Sequence, residues 1–280
     1  MSTTMPPSNQ SRGARIASAW QRFPRRALAI EVAVVLGLFG VYRMGRHMID
    51  GQVSEAMRNA QHIWRAERFL SLPNEESIQT WALSFDHVAK LANIYYLSVH
   101  FPATGLMLIW LFLQHRSFYG RIRTELAILT GLGLVIHMLY PLAPPRLVPG
   151  VEMTDTMNVV GPSAYPGGTD DGVANQFAAM PSLHIGWAVV VALAIFRVVP
   201  SPWRWLAWLH PTITTIVVVI TANHYWLDGL VALALLLLSI GTVQISGRLR
   251  KRYFDNRPPE VAETVHMSEQ VEAMAGGRPR

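Results

Sequence analysis

Cysteine is absent from the 280 residues. That excludes a disulfide framework, a thiolate metal site and a cysteine nucleophile. Lysine is nearly absent too: Lys90 and Lys251 are the only two. Charge as a whole is scarce, 15% of residues against about a quarter in soluble domains. What fills the space is apolar: 51% of the chain is hydrophobic, and several runs approach the roughly 20 residues that cross a bilayer. The expectation is an all-α polytopic membrane protein. The net charge of +6 and a pI near 10.0 invite a nucleic-acid reading. In a membrane protein, basic loops more simply set orientation, and no nucleic-acid partner is expected.

Residues 1–26 are polar, with five arginines, and read as a disordered cytoplasmic tail. Residues 27–247 read as a membrane domain of six transmembrane helices. The first span is Ala27 to Met44, an uncleaved anchor because no small-x-small cleavage site follows it. Residues 45–84 place Met57, Ala60, Ile63, Trp64, Phe69 and Leu70 at helical spacing. This is an amphipathic segment, lying on the membrane or capping the bundle. The second span, Phe85 to Leu113, carries Pro102, which predicts a kink, and His100. An ionisable group at that depth is either functional or a neutral histidine bonded to a carbonyl. The third span covers Arg123 to Tyr140. Pro141-Leu142-Ala143-Pro144-Pro145-Arg146 stops it. A long loop follows, rich in Gly, Pro, Asp and Asn, and such loops are usually functional or disordered. Spans from Pro181 to Val199, Trp203 to Thr221 and His224 to Ile245 complete the six. A basic, polar tail occupies 248–280.

Lys/Arg placement orients the bundle. With both termini cytoplasmic, the inner side takes Arg116, Arg121, Arg123, Arg197, Arg204 and the basic run from Arg248. The outer side takes Arg146 and an acidic loop. The arginines between Arg43 and Arg68 are the exception. His137, Tyr140, Arg146, Ser182, His184, Asn223, His224 and Asp228 then gather near the outer ends of spans three, four and six, so the site faces outward at the plasma membrane.

His224 and Asp228 are four apart. On a helix that spacing stacks them on one face, roughly 5–6 Å between β-carbons. A carboxylate there fixes the imidazole tautomer and leaves the other nitrogen free as base or nucleophile. A structural pair would have the same spacing. Pro181 and Ser182 suit the start of a helix, which is an anion site, and Arg146 adds a planar fork for phosphate oxygens. Together these describe phosphoryl transfer. His224 attacks phosphorus, Asp228 orients it, and His184 moves the proton. Arg146 and Ser182 hold the phosphate, with Tyr140, His137 and Asn223 as further candidates. Two other readings stay open: a metal-dependent hydrolase, since two histidines and a carboxylate can form a facial triad, and a transporter or scaffold without chemistry.

Pro-Pro-Arg at 144–146, Pro-Ser-x-His at 181–184 and His-x-x-x-Asp at 224–228, in this order, resemble the three motifs of the type 2 phosphatidic acid phosphatase superfamily. The resemblance covers residues 91–245. It implies a six-helix membrane enzyme, needing neither metal nor cofactor, that acts on lipid phosphates or diphosphates. Ala143 before Pro-Pro-Arg, and Tyr225 and Trp226 after His224, are more similar to the inositolphosphotransferase-like branch, which includes inositol phosphorylceramide synthase. That branch implies transfer of a phospho-headgroup between lipids. Two departures stand out. The family's usual lysine seven residues before the arginine is Leu139 here, and its usual arginine six residues before the third-motif histidine is Val218.

Overall fold

The computed structural model describes residues 52–162 and 176–255, together with Glu31, Ala33, Val34, Leu36, Gly37 and Gly40, which are helical. The expected tails at 1–26 and beyond Asp255, and most of the first span, lie outside the described residues. The chain divides into two compact units, Met1–Ser239 and Ile240–Arg280. The motif residues all belong to the first.

Among the described residues the fold is all helical, without a strand. In chain order the helices are α1 (Val53–Phe69), α2 (Glu75–Leu83), α3 (Val88–Ser98), α4 (His100–Gln114), α5 (Arg116–Leu139), α6 (Thr156–Val159), α7 (Leu183–Val198), α8 (Leu209–Ile220) and α9 (Trp226–Asp255). Short 3-10 turns cover Pro145–Leu147 and Pro202–Trp208. Among the described residues two helices, α5 and α9, are long and apolar enough to cross a membrane, and α3 with α4 make a third candidate as one bent span.

The bend of 40° falls at Val99. Pro102 has no N–H to give the carbonyl of Ser98, so the expected kink appears one turn upstream of the proline. The third span begins earlier than expected, at Arg116, and the last helix continues past Arg248 to Asp255. Arg and Lys end the apolar run there but are good helix formers, and cations suit a helix C-terminus.

Small residues let the motif-bearing helices approach closely. A methyl group on Gly133 of α5 would sit 2.8 Å from Leu183 Cδ2, and one on Gly229 of α9 would sit 2.8 Å from Ile185 Cδ1. Close approach of this kind gains van der Waals contact between the helices. At the far end of α5, the buried Glu125 accepts from Arg121 Nε at 2.8 Å and from Arg197 Nη1 of α7 at 2.7 Å. Both charges of this tie between helices are hydrogen-bonded, which is what burial of a carboxylate requires.

The amphipathic segment caps the motif region. Ala56 and Ala60 of α1 are buried against Leu142, Ala143, Val148 and Tyr225. Asn59 Nδ2 donates to the carbonyl of Pro141 at 2.9 Å, and Ala143 N donates to that of Ala56 at 3.2 Å. α2 and α3 hold the first half of the long loop. Gln79 donates to the carbonyls of Thr154 and Ile220 and accepts from Thr154 N. Asn93 donates to the carbonyls of Thr156 and Gly161 and accepts from the Thr156 hydroxyl.

Candidate active site

The C-terminal end of α5 and the N-terminal ends of α7 and α9 meet, and the motif residues meet with them. His224 does not lie on a helix, as its spacing from Asp228 suggests. It precedes α9, and Asp228 occupies the third helical position. Asp228 Oδ2 reaches back to accept from Tyr225 N at 2.9 Å, the backward half of a capping box. The same oxygen lies 3.3 Å from His224 Nδ1. The shorter contact of Nδ1 is to the carbonyl of Ala179, at 2.8 Å. A carbonyl can only accept, so Nδ1 carries the proton and Nε2 keeps its lone pair. Nε2 is buried and has no hydrogen-bond partner among the described residues.

Ser182 caps α7. Its hydroxyl accepts from Ile185 N at 3.4 Å, and its own N–H donates to the backbone carbonyl of Asp228 at 3.1 Å. The second motif is thereby bonded directly to the third. His184, in the first turn, is half-buried. Its ring centroid lies 5.7 Å from that of His224, with the planes tilted by 54°. Tyr96 stacks on its ring at 4.2 Å and His100 lies against it at 4.3 Å. His100 in turn stacks on Trp187 at 4.8 Å. The bend at Val99 is thus where two residues absent from the three motifs, Tyr96 and His100, close on His184.

Arg146 is held rather than loose. Its side chain is 2% exposed, its Nε lies 3.4 Å from Asp155 Oδ2, and Nη1 donates to Asn223 Oδ1. Its backbone N–H donates to the carbonyl of Ala222 at 3.2 Å. Asn223 is itself braced by a 2.7 Å bond from Nδ2 to Thr221 Oγ1. The first motif is therefore fixed to the residue just before His224. His137 Nε2 lies 3.1 Å from the carbonyl of Pro181. Tyr140 packs into the cluster of Leu142, Ala143 and Tyr225.

The two departures from the usual family pattern have different surroundings. Leu139 is 76% exposed on the outside of α5, whereas Val218 is buried within α8. No cation takes either place, so Arg146 is the guanidinium the motifs themselves bring to His224. Among the described residues no three His, Asp or Glu side chains converge as a metal-ligand set.

Sequence reasoning missed the Ala179 carbonyl, because a backbone acceptor leaves no signature. It also missed Gln79, Asn93, Glu67 and Glu75, all buried. Polar residues recurring on the buried faces of α1, α2 and α3 were the available signal.

No curated protein and no solved structure matches the chain. A model of the PAP2 superfamily matches residues 61–242, which takes in all three motifs, most of α1 and the whole of α2. Members of that superfamily are usually phosphatases or phosphotransferases. With that match over more than half its length, the chain belongs to the PAP2 superfamily.

Proposed function

We propose that this protein is an integral membrane phosphatase or phosphotransferase that acts on a lipid phosphate or diphosphate through a phosphohistidine on His224. The observation that carries the reading is the state of that imidazole. Nδ1 is engaged by Ala179 and Asp228, Nε2 has no partner among the described residues, and a second histidine ring is 5.7 Å away.

In the first step the Nε2 lone pair attacks phosphorus, the bond to the leaving oxygen breaks, and His184 gives that oxygen its proton. In the second, the acceptor hydroxyl loses its proton to His184 as it attacks phosphorus, and the P–N bond breaks. Asp228 and the Ala179 carbonyl hold the ring and stabilise its developing charge. Arg146 and the first turn of α7 at Ser182 stabilise the equatorial oxygens. Asn223 aims Arg146, His137 braces Pro181, and Tyr140 borders the phosphate.

Six spans with both termini cytoplasmic and the site facing outward at the plasma membrane complete the reading. It is supported by α5, α9 and the bent α3–α4 pair, and by large apolar side chains turned outward. Leu91, Phe101, Leu106 and Ile109 on α3 and α4, Ile213 and Ile216 on α8, and Leu230, Leu237 and Leu238 on α9 are all exposed, a belt that suits lipid. Within the superfamily we favour the inositolphosphotransferase-like branch, because Ala143 precedes Pro-Pro-Arg and Tyr225 and Trp226 follow His224. The test is a screen of the purified protein against phosphatidic acid, polyprenyl diphosphate and inositol phospholipid, with and without inositol and glycerol. Product esters formed with inositol support transfer. Release of inorganic phosphate alone assigns a phosphatase, and absence of both defeats the reading.

A further inference from the structure

A cluster of buried charge outside the three motifs sits against the first turn of α9. Glu67 of α1 and Glu75 of α2 are both 0% exposed. One oxygen of each carboxyl accepts a hydrogen bond. Glu67 Oε1 accepts from Leu227 N at 2.8 Å, across 160 residues of chain. Glu75 Oε2 accepts from Arg68 Nη2 at 2.6 Å. Both carboxyls face the same guanidinium, Arg68 Nη2 lying 4.0 Å from Glu67 Oε2, and Glu67 Oε2 and Glu75 Oε1 have no hydrogen-bond partner among the described residues. Burial beside a second carboxyl favours the protonated form of Glu67. A second bond runs beside the first: Trp226 Nε1 donates to the carbonyl of Pro73, in the turn joining α1 to α2, at 2.8 Å.

Leu227 adjoins Asp228 and Trp226 lies two residues before it, and the Asp228 carboxylate faces His224 Nδ1. An error of about 1 Å in such a group can cost about 10²-fold in rate. We propose that Glu67 is a positioning residue: with Glu75 and Arg68 it clasps the first turn of α9 and fixes Asp228 against His224. The clasp stands on contacts alone, and its effect on rate rests on the function proposed above.

Burial, then the neighbouring Glu75 carboxyl, push the Glu67 carboxyl up to about 9. The charged or titratable groups facing it are Glu75 on α2, Arg68 on α1, Tyr225 ahead of α9, and Asp228 on α9. Below that pH the clasp keeps its proton. Above it Glu67 becomes a buried anion and the clasp loosens.

The test uses the purified full-length protein in detergent, with p-nitrophenyl phosphate as substrate and hydrogen exchange at the Leu227 amide as a readout independent of activity. Glu67→Ala is expected to lose protection at Leu227 and about 10²-fold in kcat, with KM moved less than threefold. Glu67→Gln is expected to keep both, because its amide oxygen still accepts from Leu227 and its NH2 donates to Glu75. It should also lack the alkaline fall in kcat expected of the native protein above about pH 9. Full protection at Leu227 in Glu67→Ala overturns the clasp, and lost protection with unchanged kcat overturns the positioning role. Should Glu67→Ala not fold, an alkaline fall preserved in Glu67→Gln overturns the proposal. Activity in His224→Ala overturns the phosphohistidine reading and with it the effect on rate, while Leu227 protection still reports on the clasp.

Discussion

His184→Ala should divide substrates by leaving group. The His184 ring lies 5.7 Å from that of His224, so a phosphoryl group held at one ring is within reach of the other. The proposed role is to protonate the departing oxygen. A lipid alkoxide is a poor leaving group and needs that proton, whereas an activated aryl oxide leaves with little help. General acid–base assistance is typically worth about 10²–10⁴-fold, or about 3–5 kcal/mol at 1.36 kcal/mol per tenfold. Cleavage of a lipid phosphate should fall by that factor while first-turnover cleavage of p-nitrophenyl phosphate stays within about tenfold. The second step also needs His184, as base, so the aryl ester should give a burst followed by slow turnover. Loss of the half-buried ring costs its contacts with Tyr96 and His100, worth about 0.5–1.5 kcal/mol, which the fold should survive. Rapid-quench kinetics with both substrates decides the matter. Equal losses for the two, or no burst, would refute the assignment.

Asp228→Asn should slow both substrates alike, but by less than His224→Ala, because the Ala179 carbonyl at 2.8 Å still holds the tautomer; a drop of about 10²-fold in kcat is expected from misorientation alone. Asn223→Ala removes the acceptor that aims Arg146, and a bond to a charged group is worth about 1.5–3 kcal/mol, so kcat/KM should fall about 10–100-fold with thermal stability little changed. The chain has no cysteine, so Glu152→Cys gives a single exposed thiol. It should react with an impermeant maleimide in intact cells, and labelling only after permeabilisation would invert the topology. For Glu67, whose carboxyl is raised by burial beside Glu75, folding takes up a proton between the ordinary carboxylate range and about pH 9. Stability should therefore fall as pH rises through that window, and Glu67→Gln should flatten the dependence of Tm on pH.

The apolar runs and the three motifs are legible in the sequence because each rests on local spacing. On the expected topology, alternation of inner and outer loops would bring the ends of spans three, four and six to one depth without any knowledge of packing. What escapes is whatever depends on long-range contact. His-x-x-x-Asp reads as one helical face, yet the helix begins after His224, and Asp228 meets it by reaching back over the first turn. The Ala179 carbonyl holds the same ring from 45 residues away. The α1–α2 segment reads as amphipathic, which leaves membrane surface and bundle cap equally open; long-range bonds such as Asn59 to Pro141, Leu227 N to Glu67 and Trp226 to Pro73 fix it to the motif region. Pro102 signals the bend, but nothing local says that the bend brings His100 and Tyr96 to His184.

The central claim is a covalent bond between phosphorus and His224. The direct measurement is to mix the purified protein with p-nitrophenyl phosphate, quench it in base and map bound phosphate by peptide mass spectrometry. Phosphate that is acid-labile, base-stable and located on His224, and that accumulates in His184→Ala, is the predicted result. Phosphate on His184, or turnover with none bound at either histidine, would contradict it.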